Sequence, residues 1–295
     1  MAKTKSLKTI YKSLEPLVAE MAQANLSKDD PFDIALKAAL VKNYDFNSYV
    51  ARLKSKSHSF YLTATLRGIC EDIIVLKAVY GLPSNDRAEI VTHYQMSNVY
   101  EGVKNQGRFF EEFRDTQPVL GISEADSKQE EEEQRIAEIY ARNGIPGNKG
   151  GKPSVRQLAK NRDLLVLYDF LYSATSKWVH FSPQILFRMG WGPENKPDAT
   201  FTFSTKHFAE YYAQFNLIYG AYLFINFHDS FKTYLDFKAE FSGYAEEIRR
   251  NIDGIWRWPE LVTYEEMNQP APSPILYATL RVAKEEGLLK KEIAS

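Results

Sequence analysis

The sequence predicts an all-α protein, a multi-helix bundle, and three observations carry that prediction. Apolar residues recur at helical spacing over most of the chain. Two segments, 57–80 and 205–235, are apolar over lengths far beyond an ordinary strand. Only one short stretch, 199–204, alternates apolar and polar residues, so at most one lone extended segment is expected there.

Residues 6–24 carry Leu7, Ile10, Tyr11, Leu14, Leu17, Val18 and Met21, one apolar stripe on a helix whose other face holds Lys8, Lys12 and Glu15. Asp29-Asp30-Pro31 starts a second helix, because an Asp accepts unpaired amides and Pro fits the first turn. That helix is expected to reach about Val41, with a loop over 43–48 and a short basic helix over 50–56. Segment 57–80 reads as one central helix that Gly81-Leu82-Pro83 ends. Ser84-Asn85-Asp86 opens another, running to about Arg114, with Gly102 and Gly107 marking an expected break. The acidic stretch 124–143 has few apolar anchors and reads as a solvent-exposed helix. Asn143 to Pro153 is a glycine-rich loop, and a second central helix is expected over 159–182, stopped by Pro183. A short helix over 184–189, a turn-rich loop over 190–197 and helices at 205–235, 236–252 and 275–294 complete the chain. The organisation expected is N-terminal helices over 1–56, a core over 57–235 and C-terminal helices over 236–295.

Bulk chemistry narrows the function classes. Net charge is −1, so no global field draws the chain to nucleic acid or anionic lipid, and any polyanion site must be local. Cys70 is the one cysteine, which excludes an intrachain disulfide and a cysteine-based zinc site and suits a reducing cytoplasm. The basic N-terminus is not followed by an apolar run, so no signal peptide is expected. The apolar run 211–227 is interrupted by Gln214, Asn216 and Asn226, so no membrane-spanning helix is expected. His58, His93, His207 and His228 are scattered, with no metal-ligand spacing, so no metal or other cofactor is expected.

Two constellations could carry chemistry. Arg67 and Glu71 lie four apart on one helical face, with Phe60, Ile74 and Ala78 on the same stripe. Along 168–183, Asp169, Ser173, Ser176 and His180 share one arc with Tyr172 at its edge, opposite Leu164, Leu167, Leu171 and Trp178. A His can exchange a proton in phosphoryl or acyl transfer, an Arg can stabilise charge on a phosphate, and a carboxylate can orient either. The same residues would equally serve as a polar couple fixing helix packing, with His180 beside the carbonyls of a helix end. Lys149, Lys152, Arg156, Lys160 and Arg162 form the second group, around a glycine-rich loop and a helix start that could hold a phosphate. It lacks the Walker pattern, since Pro146 and Pro153 occupy that pattern's Gly and Ser/Thr positions. A solvated basic surface beside the acidic helix is the plainer reading.

Arg67-x-x-x-Glu71, Lys152-Pro-Ser154-Val-Arg156-Gln-Leu158-Ala159 and Tyr172-x-x-x-Ser176-x-x-x-His180 together resemble a widespread, uncharacterised family of bacterial helical proteins, over roughly residues 55–230. More distantly, the chain is similar to HEPN ribonucleases, helical bundles of toxin and phage-defence systems. That resemblance implies a HEPN-like helical core, an RNA substrate and a site completed across a homodimer. In that family an Arg precedes a His by four to six residues on one helix. Here Ala174 stands six before His180 and no Arg lies between Asp163 and His180, so Arg67 would supply the cation from another helix.

The expected activity is metal-independent RNA cleavage in a defence or toxin setting. His180 is the acid/base, Arg67 stabilises phosphate, Glu71 orients Arg67, and Ser176 and Tyr172 position the substrate, with Lys152 and Arg156 as further binding residues. The alternative is a non-enzymatic sensor or interaction subunit with a protein partner, in which the same residues form a structural polar network.

Overall fold

The computed structural model describes residues 5–25, 29–114, 116–190, 202–264, 266–267 and 269–286. Among them are twelve α-helices, two 3-10 turns and no strand. Half of the expected extended segment, 199–201, lies outside the described residues, and 202–204 are irregular. No described helix is long and apolar enough to cross a membrane.

The chain divides into two compact units. One comprises 1–15, 44–66 and 174–295; the other comprises 16–43 and 67–173. They are called the flanking unit and the inner unit below.

In the flanking unit the organising element is α10, Ala209–Leu235, which follows Phe208 in the left-handed region and ends at Asp236 in the same region. Phe215, Ile218, Leu223, Phe224, Phe227 and Phe231 are all buried along it, so this helix is covered around much of its circumference. Phe224 packs edge-on against Tyr11 of α1, Leu7–Met21, with ring centres 5.7 Å apart. It also stacks on Phe241 of α11, Ala239–Asp253, at 5.9 Å. Gly220 is required where α10 meets α2, Pro31–Arg52: a methyl there would stand 2.8 Å from both the Asn47 side chain and the Phe46 ring.

The expected loop at 43–48 is instead the buried middle of α2. Its polar residues mimic a loop in sequence, yet Tyr44 and Asn47 find a partner inside, Tyr11. The Tyr11 hydroxyl donates to Asn47 Oδ1 at 3.3 Å, and the Tyr44 hydroxyl donates to the Tyr11 carbonyl at 2.9 Å. Burial pushes the Tyr11 phenol far above its usual range.

The expected single helix over 57–80 is broken. A 3-10 turn, Lys56–His58, leads to α3, Ser59–Leu62, and a turn at 63–64 precedes α4, Thr65–Tyr80. Asn216 holds α3 in place, its amide donating to the Ser59 carbonyl at 2.7 Å. Further along, α9, Pro183–Met189, is pinned by Arg188. Buried Arg188 donates through Nε and Nη2 to Glu266 at 2.5 and 2.6 Å, and through Nη2 to the Leu261 carbonyl at 2.8 Å. The last described helix is α12, Pro274–Glu285.

The inner unit begins with the first half of α2, where Asp30 Oδ1 accepts the amides of Phe32 and Asp33 at 2.8 and 3.0 Å. Lys42 then pairs with Asp72 of α4 at 2.7 Å. Cys70, on the same helix, is buried, and burial pushes its thiol up to about 12.

No break occurs in α5, which runs unbroken over Ser84–Phe113 through Gly102 and Gly107. Its partner α6 is Ala125–Arg142. The expected solvent-exposed character of α6 holds only for its first half: Ile136, Ala137, Ile139 and Tyr140 are buried. Arg142 joins Asp86 and Glu89 at 2.6 and 2.8 Å, and His93 meets Glu132 at 2.5 Å. These cross-pairs give the acidic helix the anchors its sequence lacks.

The expected central helix over 159–182 is two helices. The first is α7, Val155–Asn161, opened by a capping box in which Ser154 and Gln157 satisfy each other's amides. Asp163 then takes φ +59°, and α8 runs Leu165–Val179. Arg162, at this corner, donates to the Ala78 carbonyl at 3.1 Å near the end of α4.

Candidate functional site

In the inner unit, α4 and α8 bring Arg67, Glu71 and Tyr172 together. Arg67 and Glu71 stand one turn apart, so Nε of the guanidinium reaches Glu71 Oε1 at 2.8 Å. The guanidinium carbon lies 4.7 Å from the centre of the Tyr172 ring, a cation–π contact. Tyr172 in turn tilts against Tyr168, ring centres 5.3 Å apart. Tyr168 is buried, and burial together with the nearby Glu71 carboxylate raises its phenol. Glu71 holds the Arg67 guanidinium above its usual range, so it carries full charge at any physiological pH.

The number of donors used decides what this arrangement can do. Glu71 takes one N–H of Arg67 and the Tyr172 ring takes one face of its plane. No described residue accepts a hydrogen bond from either terminal amino group. The side chain is 27 % exposed. A guanidinium oriented by a carboxylate behind it and a ring beside it, with its outer fork open, is built to receive a planar or tetrahedral oxyanion.

Lys152 and Arg156 are differently placed. Arg156 makes a two-pronged pair with Asp169, both bonds at 2.9 Å. Lys152 pairs with Glu133 of α6 at 2.7 Å. Both are surface pairs in the inner unit, and both cations are already matched by a carboxylate. Sequence reading placed Asp169 on the candidate stripe but gave it no partner. The 13-residue separation from Arg156 crosses the Asp163 corner, which no helical spacing rule reaches.

Ser176 and His180 belong to the flanking unit. Ser176 is half-buried on α8. His180 follows the last turn, its amide donating to the Ser176 carbonyl at 2.9 Å, and its side chain is exposed. The next residue, Phe181, is 86 % exposed. Trp178, two residues on from Ser176 and so on the other side of α8, packs against Phe60 and Tyr212 with ring centres 5.2 and 5.0 Å away.

Among the described residues no cluster of three His, Cys, Asp or Glu side chains is arranged to hold a metal ion. His228 is a buried structural residue: its ring meets Asp229 and Ser242 at 3.1 Å each and stacks near Phe241.

Residues 62–197 match the profile of a family of unknown function, DUF5677. The matched stretch contains Arg67, Glu71, Lys152, Arg156, Tyr172, Ser176 and His180. No curated protein and no solved structure matches the chain. From α4 to α9, then, the chain is similar to a family described only as of unknown function.

Proposed function

We propose that this protein cleaves RNA without a metal, in a toxin or phage-defence setting, using Arg67 to receive a phosphate and His180 as the acid/base. The observation that carries the reading is the half-used guanidinium of Arg67, fixed by Glu71 and Tyr172 with its outer amino groups open. The similarity of the sequence motifs to helical ribonucleases gives the direction. In the reaction, the ribose 2′-hydroxyl attacks the adjacent phosphorus and the phosphorus–5′-oxygen bond breaks. The 2′-hydroxyl proton passes to the His180 ring, and the departing 5′-oxygen takes a proton from solvent. Arg67 stabilises the added negative charge on phosphorus, the Glu71 carboxylate keeps Arg67 aimed, and Tyr172 and Ser176 position the strand.

Purified protein incubated with mixed RNA in EDTA is expected to cleave it. His180→Ala and Arg67→Ala are each expected to lower the rate about 100-fold or more, with a loss of stability of about 1 kcal/mol or less. Wild-type protein that leaves RNA intact while Arg67→Ala melts several degrees lower would sink this reading.

A second reading has its own support. Lys152 and Arg156, the two binding cations expected from sequence, are both paired to carboxylates of their own unit, as in a network that fixes packing. In that case the protein is an interaction subunit, and the Arg67 cluster is architecture.

A further inference from the structure

We propose that the flanking unit carries a track for single-stranded RNA, running from a basic groove at the end of α2 past exposed aromatic rings to the segment that holds His180. This deepens the ribonuclease reading by naming its substrate as unpaired strand, and it rests on that reading for the chemistry at the track's end.

The groove encloses about 640 Å³ and is lined by Tyr49, Arg52, Lys54 and His58, with one carboxylate, Asp45. Residues 46–66 contain Arg52, Lys54, Lys56 and His58 and no Asp or Glu. Lys56 is matched by Glu210, whereas Lys54 has no side-chain partner among the described residues. In a protein of net charge −1, this is a concentrated positive strip.

Contacts within the unit carry the strip onward. His58 ends the 3-10 turn that feeds α3, and Tyr61 on α3 is 64 % exposed. The Tyr61 hydroxyl lies 3.5 Å from Thr205 Oγ1. Two residues before Thr205, the Phe203 ring packs against Gly190 so closely that a methyl there would stand 2.7 Å from it. The Ser204 amide donates to the Met189 carbonyl at 2.7 Å, fixing this segment beside the end of α9. Phe187 on α9 is 73 % exposed and Phe203 is 68 % exposed. Phe181 and His180 lie just before α9. Residues 174–190 add Lys177 and residues 202–209 add Lys206, with no Asp or Glu in either stretch, while Glu210, paired with Lys56, borders them.

Large exposed rings beside lysines that no described carboxylate pairs fit one ligand chemistry better than others. Bases of an unpaired strand stack on aromatic faces while lysines and arginines follow the phosphates. A membrane surface would favour a continuous apolar face, and a duplex offers no free base faces to Tyr61, Phe187 or Phe203.

The test uses the full chain in EDTA and a fluorescent 2′-O-methyl oligouridylate, which lacks the attacking hydroxyl and therefore reports binding alone. Wild type is expected to bind this strand at least about tenfold more tightly than the same strand annealed to its complement. Tyr61→Leu and Phe187→Leu are each expected to weaken binding about tenfold without changing the melting temperature. Lys54→Gln is expected to lower the slope of log affinity against log salt by about 0.7. Equal affinity for single strand and duplex, or undiminished binding by both aromatic variants, overturns the track. Tight binding with no cleavage of ordinary RNA removes the ribonuclease reading and leaves the track standing. Cleavage that persists at full rate in both aromatic variants removes the track and leaves the ribonuclease reading.

Discussion

Two arginines paired with glutamates invite comparison because their surroundings lead to opposite uses. Arg188, in the flanking unit, is 5 % exposed and spends Nε and Nη2 on Glu266 and the Leu261 carbonyl. Arg67, in the inner unit, spends one N–H on Glu71 and a ring face on Tyr172. Burial by itself lowers the Arg188 guanidinium, yet Glu266 more than offsets it and the group ends well above its usual range. Both arginines therefore stay charged. What separates them is how many donors are spent: Arg188 makes three hydrogen bonds and acts as a strut, whereas Arg67 makes one among the described residues.

The largest expected effect tests the strut. Arg188→Ala leaves Glu266 buried without its cation and should cost about 3–5 kcal/mol, read as a shift of the urea midpoint. If Arg67→Ala costs as much, the contrast between the two sites fails, because Arg67 is then architecture too. The same substitution at Arg67 is expected to cost about 1 kcal/mol or less, as for partly exposed pairs.

Acid sharpens the contrast. Burial would raise the Glu266 carboxyl, but Arg188 and the Thr263 amide hold it below the usual range. A carboxyl lowered in the folded state contributes stability that is complete above its unfolded value, about 4.3, and is lost as pH falls through the lowered folded value. Urea midpoints should therefore fall on acidification below about pH 4.3, and Glu266→Gln should flatten that fall. An unchanged acid limb in Glu266→Gln would show that other carboxylates dominate it.

Two smaller effects complete the set. Tyr172→Leu removes the ring from beside Arg67 and should cost about 0.5–1 kcal/mol of stability while weakening RNA cleavage more than folding. Gly107→Ala, in open space on the unbroken α5, should stabilise by about 0.5–1 kcal/mol and marks the smallest change worth resolving in denaturation curves.

Much of the helical content was legible because it rests on local rules. The stripe of α1, the Asp30 cap and the Arg67–Glu71 pair all follow from spacing within a few turns, whereas Pro183 opens α9 and α8 has already ended at Val179. The misreadings share a different cause. Tyr44 and Asn47 read as loop residues because the chain alone does not reveal Tyr11 as their partner. Residues 159–182 read as one helix because nothing in Arg162-Asp163-Leu164 announces a left-handed Asp163. The Arg188–Glu266 strut joins residues 78 apart, one of them in a stretch without periodicity, so no sequence pattern could have paired them. At the candidate site, the residue types were readable, but the open outer fork of Arg67 is a property of what surrounds it.

Cys70 gives the Arg67 helix a clock of its own. It sits three residues from Arg67, it is the chain's one thiol, and burial pushes it far above the usual thiol range, so the folded protein holds it as the unreactive thiol at pH 8. A thiol reagent therefore modifies the protein at the frequency with which α4 opens, not at the frequency of chemical encounter. The colour change of such a reagent would time the breathing of this helix directly, and a ligand seated on Arg67 should slow it.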